Sequence, residues 1–308
     1  MMKICVLGLG YIGLPTALLL AKSGFEVIGV DVNEKVVSTL NRGQLHISEP
    51  GLPELFEQAR RNFAAQTVVP EADVYLIAVP TPLNEHIRVS DLEYVRSAAE
   101  MIYPHLQRGN LVILESTVPP CTSEKLLIPI LEKSGLRAGE FQYVHCPERA
   151  IPGKTLYEMV HNDRIIGGVD AESAESARTV YSSYVQGRIY LTDTTTAEFV
   201  KLIENTYRDI NIAIANSFAQ VAEDYGVDIW EAIDLANKHP RVNILQPGPG
   251  VGGHCIAIDP WFLTESSVRT GLIQLSREIN DSMPNYVIHL VRKMLGGIQD
   301  PTLTVFGV

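Results

Sequence analysis

The stretch Lys3-Ile4-Cys5-Val6-Leu7-Gly8-Leu9-Gly10-Tyr11-Ile12-Gly13-Leu14-Pro15 decides how the rest of the chain is read. Lys3 to Gly8 is a continuous apolar run of the kind that forms a parallel strand buried on both faces. It enters a Gly-x-Gly-x-x-Gly turn, after which Leu14 to Ser23 reads as a helix. A second strand over Phe25 to Val30 ends on Asp31, 18 residues beyond Gly13. Strand, glycine turn, helix, strand and acid in that order make up the dinucleotide fingerprint in the context it requires. Gly8 and Gly10 permit a tight turn and close backbone approach to a pyrophosphate. Gly13 lets helix and strand pack closely, and the helix N-terminus offers free N–H groups to phosphate. A carboxylate at Asp31 accepts both ribose hydroxyls and repels a 2′-phosphate, so the expected cofactor is NAD rather than NADP.

Further βα units follow. Asp73 to Val79 predicts a strand ending in Pro80-Thr81-Pro82, and Leu111 to Leu114 one ending in Glu115-Ser116-Thr117. Thr81 and Thr117 stand where an open parallel sheet places its ligands, although either residue also suits a helix cap. Gln142 to Cys146 and Arg164 to Gly168 read as additional strands. From Thr195 to Tyr225 there is no proline or glycine, and apolar residues recur at helical spacing, which predicts one long helix. Helices are also expected over Val227 to Ala236 and Ser276 to Leu295. The fold class is thus α/β, with a Rossmann-like doubly wound parallel sheet over residues 1–194. A long-helix, α-helical central domain is expected over residues 195–296. Thr302 to Val308 reads as a strand opening a further domain over residues 297–308, or as an edge strand of the preceding one.

The chain of 308 residues carries 25 basic and 36 acidic residues, a net charge of −11 that argues against nucleic acid or an anionic membrane as partner. No run reaches the ~20 apolar residues of a membrane span, and no secretory signal pattern is present, so a cytoplasmic location is expected. The four cysteines lack metal-ligand spacing, and no metal is expected. One of them, Cys255, ends the loop Gly248-Pro249-Gly250-Val251-Gly252-Gly253-His254-Cys255, with Asp259 four residues later. Flexible backbone followed by a thiol and a proton acceptor reads as a nucleophile on a substrate loop; a glycine-rich turn with a buried free cysteine is the competing reading. Lys201, Asn205 and Arg208, at i, i+4 and i+7, line one face of the long helix as hydrogen-bond donors, with Glu198 and Glu204 on other faces. Such donors suit an oxyanion, phosphate or sugar hydroxyls. His239, Arg241 and Asn243 add donors before the loop.

With these residues assembled, the chain resembles the UDP-glucose/GDP-mannose 6-dehydrogenase family over its whole length. The resemblance rests on Gly8 to Pro15, Ala78-Val79-Pro80-Thr81-Pro82, Glu115-Ser116-Thr117, Lys201 to Asp209 and Gly250 to Cys255. It implies a four-electron oxidation of a UDP-sugar C6 alcohol to a carboxylate using NAD, within a homodimer formed through the long helix 195–225. Cys255 is implied to trap the aldehyde and carry a thioester, Lys201 and Asn205 to stabilise the oxyanion, and Asp259 to stand beside the nucleophile. Glu148 and Thr117 are implied to handle water. Tyr11, Ile12, Asp31, Thr81 and Thr117 match NAD-contact positions. Arg149, Ala150, Lys201, Asn205, Arg208 and Gly252 match substrate positions, with His239 and Arg241 supplied by the dimer partner. Glucose-type members carry Pro-Glu-Phe-Leu-x-Glu-Gly, whereas here Arg149 follows Glu148 and Pro152 replaces the second acid. That departure disfavours UDP-glucose, and the segment from Asn237 to Pro249 with Cys146-Pro147-Glu148-Arg149 is most similar to members acting on UDP-N-acetyl-D-mannosamine, with UDP-N-acetylglucosamine as the alternative substrate. Family members continue into a domain that clamps the uridine diphosphate. A chain ending at that domain's first strand is expected to be truncated, leaving NAD binding and dimerisation without turnover as an alternative.

Overall fold

The computed structural model describes residues 2–253 and 255–306, which divide into two compact units with the boundary after Leu202. In the first unit, eight strands form one sheet: β1 (Lys3–Leu7), β2 (Glu26–Val30), β3 (Phe63–Gln66), β4 (Val74–Ile77), β5 (Leu111–Leu114), β6 (Gln142–His145), β7 (Arg164–Gly168) and β8 (Ile189–Asp193). Their order across the sheet is β3-β2-β1-β4-β5-β6-β7-β8, so the chain reverses direction of growth between β1 and β4.

The sheet is buried on both faces because its central strands are apolar at every position from Ile4, Val74 and Leu111 onward, with only Lys3 at the start of β1 charged. Their side chains alternate between two cores, as a period of two requires. Ile4, Val6, Val74, Leu76, Leu111 and Ile113 enter one core, with the helices Gly13–Lys22, Leu52–Ala59 and Ala171–Tyr181. Cys5, Leu7, Tyr75, Ile77, Val112 and Leu114 enter the other, with the helices Glu93–Ile102 and Ile128–Leu131. The doubly wound expectation holds, with one correction. β6 and β7 pair antiparallel, through Val144 with Gly168 and His145 with Gly167, so the sheet is not wholly parallel.

The long helix spans Thr194–Tyr225, 32 residues, and the boundary between the two compact units, after Leu202, falls inside it. Its first turns belong to the sheet unit because Glu198 is anchored there. The Glu198 carboxylate accepts from the Cys121 and Ser123 amides at 2.6 and 2.8 Å and from the Ser123 hydroxyl at 2.6 Å. The second unit adds the helices Ile229–Ala236, Asp259–Thr264 and Gly271–Leu295. The strand expected from Thr302 is not formed: residues 302–306 are exposed and outside regular structure. A strand needs a neighbour to satisfy its N–H and C=O groups, and none pairs with these residues among the described ones. Gly307 and Val308 lie outside the described residues.

Candidate functional site

Gly8, Thr81, Thr117 and Glu148 follow the carboxyl ends of the adjacent parallel strands β1, β4, β5 and β6, along one edge of the sheet. This edge includes the reversal between β1 and β4, where open α/β sheets bind their ligands. The glycine turn is built for close approach. Gly8 has φ +89°, and a Cβ there would meet the Ala78 carbonyl oxygen at 2.6 Å; a Cβ on Gly13 would lie 1.8 Å from the Gly8 oxygen. Space beside Gly10 is open. Ile12 supplies no side-chain cap to the helix Gly13–Lys22. In its first turn the Leu14 amide donates to the Gly10 carbonyl at 3.1 Å and Pro15 has no N–H, so the Gly13 amide is the one turned to an anion. Asp31 is held by two backbone donors, Leu9 N–H at 3.0 Å and Asn33 N–H at 2.8 Å, each to a different oxygen. His46 donates from Nε2 to the Leu9 carbonyl at 2.8 Å, clamping the turn. Nothing in sequence pointed to His46, an isolated loop residue far from the fingerprint. Tyr11 is exposed beside the turn. Thr81 and Thr117 are half-buried; the next helices begin at Glu93 and Ser123, so neither residue caps one. These features fit a dinucleotide.

Beyond β6, the Glu148 side chain is 7% exposed, and both its oxygens are engaged. One accepts from the amides of Arg149 at 2.6 Å and Ala150 at 2.8 Å; the other accepts from Arg164 Nη2 at 2.7 Å. Burial pushes the Glu148 carboxyl up, but the Arg164 charge and the two amides outweigh it and hold the group below its ordinary range. Arg149 donates from its guanidinium to the Asp163 carbonyl at 3.0 Å. A small cleft opens here, lined by Glu148, Arg149, Glu158, Asn162, Asp163 and Arg164.

In the second unit, Cys255 is exposed, while Cys5 and Cys146 are buried and Cys121 is half-buried. The exposed thiol removes the reading of a buried structural cysteine. The Cys255 carbonyl accepts from the amides of Ile258 and Asp259, at 3.1 and 2.9 Å, folding the loop into the helix that starts at Asp259. Asp259 is buried and accepts from Asn205 Nδ2 at 2.6 Å. Gly252 is exposed in the loop, and His254 lies outside the described residues.

The long helix corrects one expectation. At ~100° per residue, Glu198, Asn205, Asp209 and Asn216 share a strip, and all four are buried. Glu198 therefore shares a face with Asn205, because it precedes Asn205 by two whole turns. Lys201 is at the strip's edge and buried, whereas Arg208 falls just past the edge and is exposed. His239 and Arg241 are both exposed and hydrogen-bonded to each other, Arg241 N–H to His239 Nδ1 at 3.3 Å. Among the described residues, no cluster of three or more His, Cys, Asp or Glu side chains is placed to hold a metal ion. No helix among them is long and apolar enough to cross a membrane.

Comparison with known proteins adds to this geometry. Residues 2–185 match the model of the UDP-glucose/GDP-mannose dehydrogenase family NAD binding domain, and residues 195–282 match that family's central domain. The chain is 53% identical to the UDP-N-acetyl-D-mannosamine dehydrogenase of Methanococcus maripaludis over 99% of its own length and 71% of the relative's. It is 46% identical to the NDP-N-acetyl-D-galactosaminuronic acid dehydrogenase of Ralstonia nicotianae, over 99% of this chain and 74% of that one. Among solved structures it is similar to the native UDP-N-acetyl-mannosamine dehydrogenase Cap5O from Staphylococcus aureus. There the TM-score is 0.91 and the identity 46%, over 99% of this chain and 74% of that one.

Proposed function

Because the chain belongs to the UDP-glucose/GDP-mannose dehydrogenase family, we propose that it oxidises the C6 alcohol of UDP-N-acetyl-D-mannosamine to a carboxylate. It is an NAD-dependent oxidoreductase. The substrate reading draws on the relatives that act on UDP-N-acetyl-D-mannosamine and on Arg149 following Glu148. The balanced reaction consumes one alcohol, one water and two NAD+ and yields one carboxylate, two NADH and three protons. NAD, when bound, supplies the hydride acceptor for both oxidations.

The chain's own residues do the rest. Gly8, Gly10, Tyr11, Ile12 and Gly13 cradle the pyrophosphate side, Asp31 takes the ribose hydroxyls, and Thr81 and Thr117 line the sheet edge. The Cys255 sulfur adds to the C6 aldehyde carbon, forming a C–S bond and a thiohemiacetal; oxidation of that adduct leaves a thioester. Water then adds to the thioester carbon, and the C–S bond breaks to release the thiol and the acid. Lys201 and Asn205 donate to the developing oxyanion, with Asn205 fixed by Asp259. Arg149, Ala150, Arg208 and Gly252 contact the nucleotide sugar, and Glu148 with Thr117 orients the water. The observation that carries this reading is an exposed thiol on a glycine loop leading into the buried Asp259–Asn205 pair. The test is the NADH formed per UDP-N-acetyl-D-mannosamine consumed: two supports the thioester route, and one eliminates it.

We also infer a homodimer through the long helix, with His239 and Arg241 contributed to the partner's site. The support is an inverted amphipathic pattern. The helix buries its polar strip, while Phe199, Ile203, Tyr207, Ile214, Phe218 and Val221 form a stripe on the other side that is 40–63% exposed. Apolar surface of that kind on a helix calls for a partner. Sedimentation equilibrium should give twice the monomer mass, falling to one monomer in Phe218→Lys. A monomeric wild-type protein at micromolar concentration would refute it.

A further inference from the structure

Behind Glu148 lies a charged cluster that the chemistry above does not use. Arg164, at the start of β7, is 4% exposed, and its guanidinium is wedged between two carboxylates. Nη2 contacts Glu148 at 2.7 Å, and Nη1 lies 3.5 Å from Glu115. The guanidinium stacks over the Tyr181 ring, 4.6 Å from its centroid, with Tyr184 at 5.9 Å, and Nη1 points to the Cys146 sulfur at 3.8 Å. Glu115, the last residue before Ser116-Thr117, accepts from the Tyr181 hydroxyl at 2.7 Å and from Thr16 at 3.1 Å. Thr16 sits on the helix that follows the glycine turn. A continuous buried chain of polar contacts therefore runs from the cofactor helix through Glu115 and Arg164 to Glu148.

We propose that Arg164 is a positioning residue that fixes Glu148 as an oriented anionic acceptor, one that aligns water by receiving a hydrogen bond rather than by taking its proton. With one oxygen on two amides and the other on a rigid guanidinium, Glu148 has little freedom to rotate and little lone-pair capacity left for a proton. The second carboxylate completes the device. Burial drives Glu115 up to about 7, against the opposing pull of Arg164, with the charge of Glu148 adding to the rise. Glu115 is thus the member of the trio that takes up a proton near neutrality, sparing Glu148. Of the other titratable groups facing the cluster, the Cys146 thiol is pushed up to about 12 by burial, and the Tyr181 and Tyr184 phenols are raised by burial. Those three stay neutral. Glu158 and Asp163 stand at the cleft mouth.

The inference rests on the water-handling role given to Glu148, so its test has one arm that needs no substrate. Burial also pushes the Glu198 carboxyl up to about 7, so this arm uses a Glu198→Gln background. Infrared difference spectra of the protonated carboxyl band, titrated there between about pH 5 and pH 9, should show one buried carboxyl protonating near neutrality. That band should vanish when Glu115→Gln is added and persist when Glu148→Gln is added. The opposite assignment, or no such band in the Glu198→Gln background, overturns the proposal whatever the enzyme oxidises. The second arm is kinetic. Arg164→Gln should lower kcat on the order of 10-fold or more with a smaller change in KM, and should add an acidic limb in which the rate falls below neutral pH. Arg164→Lys, which keeps the charge but loses the fork, should recover part of the rate and remove that limb. A pH profile of Arg164→Gln that parallels wild type at every pH overturns the positioning role. If Arg164→Gln does not fold, the infrared arm on Glu115→Gln and Glu148→Gln still decides.

Discussion

Cys255→Ala is expected to abolish net carboxylate formation, lowering kcat by at least ~10³-fold with NAD binding unchanged. The expectation follows from comparing the four thiols. Burial pushes the Cys5 and Cys146 thiols up to about 12, where neither supplies a thiolate at physiological pH. Cys121 is held in left-handed backbone at φ +69°, with its amide spent on Glu198 and its sulfur 3.9 Å from the Thr195 hydroxyl. Only Cys255 combines exposure with a flexible approach. Cys255→Ser separates nucleophile from space-filler: a hydroxyl can add to the aldehyde, but its ester hydrolyses far less readily, so a covalent adduct should accumulate. Intact mass spectrometry after mixing with NAD and UDP-N-acetyl-D-mannosamine detects it. A Cys255→Ala rate within a few-fold of wild type would remove the covalent route and leave a simple alcohol dehydrogenase in its place.

What was legible in the sequence was local, and what was hidden was long-range. The glycine turn and Asp31 were readable because the steric demand sits in consecutive residues. Gly13 has to lack a Cβ for its own turn to close on Gly8. The long helix was readable from 31 residues, Thr195 to Tyr225, without a proline or glycine. The direction of β7 was not, because Ile165-Ile166-Gly167-Gly168 has no alternation that sets a strand's direction, and its antiparallel pairing with β6 is a long-range property of the sheet. Glu115, Glu148 and Arg164 give no joint signal either. They are separated by 33 and 16 residues in the sequence and meet only because β5, β6 and β7 are neighbours in the sheet. Glu198 sits about 60° from Lys201 but only about 20° from Asn205 around the helix, so a face drawn through Lys201 and Arg208 leaves it out, whereas the buried strip through Asn205 includes it.

The same polar strip carries the largest expected stability effect, in Arg277→Met. Arg277 is 2% exposed; Nη1 contacts Asp209 at 2.5 Å, and Nη2 pairs with Asp281. Asn280 donates to the Asp209 carbonyl at 2.9 Å and to its carboxylate at 2.8 Å, and accepts from Asn216 at 2.8 Å. Asn216 in turn accepts from the Gly248 amide at 2.9 Å, at the head of the loop that leads to Cys255. Removing the guanidinium strands Asp209, whose second oxygen already lacks a partner among the described residues. Leaving one half of a buried ion pair costs about 3–5 kcal/mol, so the second unit should unfold at markedly lower denaturant concentration. The pH dependence has a definite sign. Burial raises the Asp209 carboxyl above its ordinary range, with Arg277 opposing, and losing Arg277 raises it further. A carboxyl raised by folding favours the folded state below its unfolded pKa and loses that contribution as pH rises through the folded pKa. The deficit of Arg277→Met should therefore be greatest at neutral pH and shrink on acidification, and the added change Asp209→Asn should recover part of it at neutral pH. Amide exchange should quicken at Gly248 and along Gly271–Leu295 before it changes in the sheet. Wild-type stability and exchange in Arg277→Met would show that the strip is incidental to the loop, and the thiol would then need another anchor.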